Sequence, residues 1–167
     1  MKLNILNSIL IIILYCVTSS LESFAQDTSK TPIEYFEEYN NTIKQNNMIR
    51  TALPTLEECR TIFKENAATI YFNNVVKLKD MLDNGDYEDN EEYVTCKVIS
   101  ISTNDIIQGK QNYPGGMNNI KDKLLPNVKL YEVTYLKNKN DKYGMRYNYF
   151  IETNDRWVFI FKPWRMF

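Results

Sequence analysis

The chain has 167 residues, with 20 basic and 21 acidic side chains, a formal net charge of −1 and no histidine. So even a balance gives no general attraction to nucleic acid or to an anionic membrane surface, and no nucleic-acid partner is expected. With no histidine and three cysteines, the chain lacks the commonest ligands for a metal, so neither a metal nor any other cofactor is expected.

At the amino end one lysine, Lys2, precedes an apolar run over residues 9–17, and a short polar stretch leads to Ser23-Phe24-Ala25. Small residues at the −3 and −1 positions of a cut before Gln26 predict an export signal over residues 1–25. The domain of residues 26–167 is then secreted or periplasmic, and its length suits a single unit. The apolar run is shorter than the about 20 residues a bilayer crossing needs, so no stable membrane span is expected after processing. Cys16 leaves with the signal, since Tyr15 stands where a lipidation site takes a small residue. Cys59 and Cys96 remain, as a possible disulfide in an oxidising compartment or as two buried free thiols.

The first helix is signed at its start by Thr31 as cap, Pro32 at the first helical position and Glu34 at the third. Ile33, Phe36 and Ile43 then recur at helical spacing. A second helix opens at Pro54-Thr55, with Thr55 and Glu58 as another capping box. Leu56, Cys59, Ile62 or Phe63, Ala67 and Ile70 supply its buried face. The pattern runs on to Leu82, and a break into two helices is expected, near Asn73-Asn74. The following stretch "DNGDYEDNEE" is acidic. Asp80, Asn84, Asp86 and Glu91 match a calcium-loop register there, but Leu82 stands where the third ligand belongs. An acidic solvated turn is the better reading.

The period then changes to two. Residues 93–102, "YVTCKVISIS", predict a strand with Val94, Cys96 and Val98 on one face and Tyr93, Thr95, Lys97, Ile99 and Ile101 on the other. The glycine- and proline-bearing stretch after it reads as a long connection holding one short helix over residues 117–124. Three strands follow, "VKLYEVTYL", "YGMRYNYFIE" and "RWVFIFK", with links short enough for antiparallel hairpins. In the last strand Trp157, Phe159 and Phe161 alternate with Val158 and Ile160, so both faces are apolar and the strand belongs inside the domain.

Helices, then a strand, a short helix and three hairpin-linked strands ending in "ETNDRWVFIFKPW" resemble small secreted members of the nuclear-transport-factor-two-like superfamily. The resemblance implies an α+β domain whose amino-terminal helices pack on one face of a curved antiparallel sheet, a cystatin-like cone enclosing a pocket. Catalytic members of that group place acidic, histidine or tyrosine side chains inside the cone. This chain has no histidine to match them, and no catalytic residue can be carried over.

The ligand-binding candidates are aromatic: Tyr131, Tyr135, Tyr147, Tyr149, Trp157 and Phe159 on the three late strands, with Trp164 at the rim. Tyrosine combines apolar contact with a hydroxyl hydrogen bond, so such a lining suits a small apolar, aromatic or carbohydrate ligand. The sequence therefore favours a secreted or periplasmic non-catalytic domain that binds a small molecule or a protein partner. The alternative is a small isomerase or hydrolase using a strand carboxylate, Glu132 or Glu152, together with a tyrosine.

Overall fold

The computed structural model describes residues 31–42, 50–83, 92–110, 113–153 and 156–167. The expected export signal, Cys16, the acidic stretch of residues 84–91 and the Asn154-Asp155 turn lie outside these. The described helices are α1 (Pro32–Thr42), α2 (Leu56–Arg60), α3 (Glu65–Asp83) and α4 (Thr103–Ile107), with 3-10 segments η1 (Gly115–Lys123) and η2 (Pro163–Arg165). The strands are β1 (Thr95–Ser102), β2 (Lys129–Leu136), β3 (Met145–Glu152) and β4 (Trp157–Phe159).

Both capping boxes form. The Thr31 N–H donates to the Glu34 carboxylate at 2.8 Å, and the Glu34 N–H donates back to the Thr31 hydroxyl at 3.3 Å. At α2 the equivalent bonds join Thr55 and Glu58 at 2.7 and 3.2 Å. The long helical pattern does break, but at residues 61–64 and not at Asn73-Asn74. Its cause is non-local. The Lys64 N–H donates to the Lys123 carbonyl and the Leu125 N–H to the Ile62 carbonyl, at 2.9 and 2.8 Å, around a Phe63–Leu124 bridge. Backbone groups committed to that bridge cannot continue the helix. The phase of α3 resets accordingly: Ala67, Ala68, Tyr71 and Val75 are buried, while Ile70, expected inside, is 49% exposed.

The five-residue α4 lies in a stretch expected to be irregular. The Ser102 hydroxyl accepts the Asn104 N–H at 3.2 Å as its cap, and Asn104 in turn bonds the side chain and N–H of Asn127. The short helix expected over residues 117–124 is the 3-10 segment η1.

The strands form one antiparallel sheet in sequence order, β1-β2-β3-β4. The α+β class holds, but the cone does not. The sheet is open, with β1 and β4 as its two edges, and it neither curls nor closes in cystatin fashion. Nor do the helices share one face. Phe36 of α1 joins the cluster on one side, and residues of α2, α3, α4 and η1 join the cluster on the other. The reason lies in the strands: where both faces are apolar, each needs its own cover. Although β4 ends the sheet, it is buried throughout, and Ala52 offers its carbonyl to the Phe159 N–H at 2.6 Å.

Arg156, just before β4, ties this edge to the helical layer. Its guanidinium donates to both carboxylate oxygens of Glu58, at 2.9 and 2.7 Å, and to the carbonyls of Thr51 and Leu53 at 2.7 and 2.8 Å. Burial alone would raise the Glu58 pKa. The hydrogen bonds and charge of Arg156, with the Thr55 cap, outweigh it and hold the carboxyl below its ordinary value.

Candidate functional site

Alternation along β2 and β4, with the pairing of β3 Tyr147 opposite Val133, brings five of the seven aromatic candidates to the α1 side of the sheet: Tyr131, Tyr135, Tyr147, Trp157 and Phe159. There they meet Phe36 and one another. Trp157 lies with its ring centroid 5.2 Å from Phe36, 5.0 Å from Tyr131 and 5.6 Å from Tyr35, stacked on the last. Tyr147 bridges Tyr135 and Phe159 edge-on at 5.7 and 5.9 Å. Phe150 fills the space between Phe36 and Phe159, at 4.6 and 4.9 Å. At such separations the rings are in contact. The Tyr135 hydroxyl donates to the Phe36 carbonyl at 3.2 Å, which fastens α1 over the cluster.

Tyr149 is separated from these five. Tyr131 pairs with Phe150 and Val133 with Tyr147, so two residues of β3, Asn148 and Tyr149, stand opposite the single Glu132 of β2. This bulge reverses the facing of everything beyond it. Tyr149 therefore points to the helical side, where Trp164 meets it edge-on at 6.4 Å. Trp164 is half-buried, and its ring lies over Gly116 so closely that a β-carbon there would run into it. The sequence carried one sign of this split: apolar residues at 147, 149, 150 and 151 do not keep a strict period of two.

The bulge also gathers the polar groups. Glu132 is 4% exposed, and its carboxylate accepts from the Asn148 amide and pairs with Arg146 Nε at 3.2 Å. The buried Tyr149 hydroxyl has no hydrogen-bond partner among the described residues. Burial first, and then the Glu132 charge, push its pKa well above the ordinary phenol value, while Arg146 acts the other way. A phenol so shifted stays protonated and is neither base nor nucleophile near neutral pH. The carboxylate is engaged by Asn148 and Arg146. Glu152, the other strand carboxylate, is exposed.

Both cysteines are free and buried, Cys59 in the helical cluster and Cys96 in the α1 cluster. The possible bridge between them is not formed. Burial, then a neighbouring carboxylate, pushes each thiol up to about 12: Glu58 beside Cys59 and Glu37 beside Cys96. Neither is a reactive thiolate in the folded chain. Among the described residues no group of three potential metal ligands gathers, and no helix is long and apolar enough to cross a membrane.

What the aromatic pattern did not reveal is the surface beside α3. Two shallow, open clefts flank this helix, of about 390 and 330 Å³. The first includes Lys64, Ala67, Ile70 and Lys123, and the second Lys77, Leu78, Met81 and Arg165. Phe167 adjoins them, packed on Phe63 and Tyr71 at 5.6 and 6.3 Å, with Lys123 Nζ 5.5 Å above its ring. The sequence held a signal for this too, since Ile70 and Met81 exceed what the core can take from a helix presenting Ala67, Tyr71 and Val75 to it. Comparison with protein-family models, characterised proteins and solved structures gives no match to this chain.

Proposed function

We propose that the chain is an exported, non-catalytic domain, secreted or periplasmic, that works by binding a protein partner. The observation that carries this reading is the closed packing of the aromatic strand residues. Tyr131, Tyr135, Tyr147, Trp157 and Phe159 touch one another and lie beneath Phe36. Side chains that would line a ligand chamber are spent on the core. Apolar surface is instead offered outward on α3, in clefts that open to solvent. A shallow apolar surface is the form that protein association takes more often than small-molecule capture does. Export rests on the composition of residues 1–25.

Enzyme action has one local observation behind it, the buried Glu132 with Tyr149 close by. Its weakness is that Asn148 and Arg146 already engage the carboxylate. The test is crosslinking of the protein in the exported fraction of its own host, combined with native mass spectrometry. Crosslinks to a defined partner are expected, with a polypeptide mass beginning near Gln26 and no retained small molecule. A small molecule held at one per chain, or a turnover lost in Glu132→Gln, refutes the reading.

A further inference from the structure

Resting on the protein-binding reading above, the geometry points to the outer face of α3 and the adjoining chain end as the docking surface, and to an acidic, amphipathic segment of another protein as its occupant. The apolar element is linear. Ile70, Leu78 and Met81, with the polar Asn74 between the first two, follow one another along α3 on one stripe about 16 Å long, Leu78 being half-buried against the helical core. Ile70 is 49% exposed, Met81 72% and Phe167 39%. Asn74 fixes the wall of the groove, because its amide donates to the Met166 carbonyl at 2.8 Å. The stripe is therefore a track between a helix and a strapped-down chain end.

Charge selects the occupant. The two clefts carry Lys64, Lys77, Lys123 and Arg165 against Glu65 and Asp122. Glu65 is paired with Arg60 at 2.9 Å and Asp122 with Lys123 at 3.3 Å, which leaves Lys64, Lys77 and Arg165 as the surplus cations. Lys77 Nζ donates to the Asn74 side-chain oxygen at 3.2 Å, and neither Lys77 nor Arg165 enters an ion pair among the described residues. The surface is thus basic on a chain whose net charge is −1. Such a local excess attracts carboxylates and repels a second copy of itself, since pairing two of these faces would set Lys77 and Arg165 against like charges. A partner with Leu-, Ile- or Phe-type residues on one face, flanked by Asp or Glu, satisfies both the stripe and the cations.

The test is selection from a displayed library of 15-residue peptides against the folded domain of residues 26–167. Enriched peptides should be net acidic, with at least two large apolar residues. Their binding, read by fluorescence anisotropy, should fall at least tenfold in Met81→Glu and in Lys77→Glu, and should weaken as salt rises. Both positions are exposed, so unchanged circular dichroism in the variants ensures that the loss reports the surface. Ile99→Glu, on the exposed part of β1, serves as the control and should bind like the parent. Peptides that are basic, or whose binding ignores Met81 and Lys77 but fails in Ile99→Glu, overturn the surface while leaving the protein-binding reading standing. No enrichment on any surface overturns both. Self-association, or binding to anionic vesicles, abolished by the same two substitutions and without peptide enrichment, assigns the face to another occupant and also overturns the proposal.

Discussion

Replacing Trp157 with alanine is the sharpest probe of the closed aromatic face. Trp157 is 6% exposed and contacts Tyr35, Phe36 and Tyr131. A buried tryptophan removes about 150–250 Å² from water, worth about 4–6 kcal/mol at about 25 cal/mol per Å². Alanine retains a fraction of that, and the cavity left under α1 closes only in part, which brings the expected loss to about 3–5 kcal/mol. Against a domain stability of about 5–15 kcal/mol this is a large share. Trp164→Ala serves as the internal comparison. That ring is half-buried and lies on the other side of the sheet, over Gly116, so its loss should cost about 1–2 kcal/mol. Urea unfolding followed by far-ultraviolet circular dichroism measures both, since neither transition then depends on the indole removed. Slopes should match the parent and midpoints should differ. Equal losses below about 1 kcal/mol for the two variants would show that Trp157 does not hold α1 to the sheet, and the packing argument would fall with it.

Three further outcomes follow from other contacts. The Glu58 carboxyl is held below its ordinary value in the folded chain, so its contribution to stability is present above the unfolded pKa of about 4.3 and disappears as pH falls through the folded value; the stability gap between the parent and Glu58→Gln should therefore narrow below about pH 4, and a gap independent of pH refutes the Arg156 tie. Gly116→Ala should cost about 1–3 kcal/mol by forcing the Trp164 ring aside, yet under about 0.5 kcal/mol when added to Trp164→Ala, because the clash is with that ring; additive losses would point to the backbone instead. Cys59 and Cys96 should resist maleimide in the folded protein at pH 8 and label fully once it is unfolded, whereas a bridge found by non-reducing peptide mapping would contradict the two separate buried thiols.

Features set by short-range physics are legible in the amino-acid order alone. Thr31 with Glu34, and Thr55 with Glu58, sit three residues apart, and a capping box needs nothing further. Alternation in "VKLYEVTYL" and "RWVFIFK" announced β2 and β4 and told which residues share a face, because neighbouring side chains on a strand must point oppositely. The tertiary structure decided whatever depended on a distant partner. Residues 123–125 drew residues 62–64 out of the helix and so turned Ile70 outward. One extra residue opposite Glu132 sent Tyr149 to the side away from Tyr147, and no count along β3 alone reveals where a bulge falls, since it is defined by the strand beside it. The cone failed for a related reason: element order is the same for an open sheet and a curled one, and the choice lies in strand pairing and in which faces the helices must cover. The strip on α3 emerged last, because surface is what remains once the packing of every other element is known.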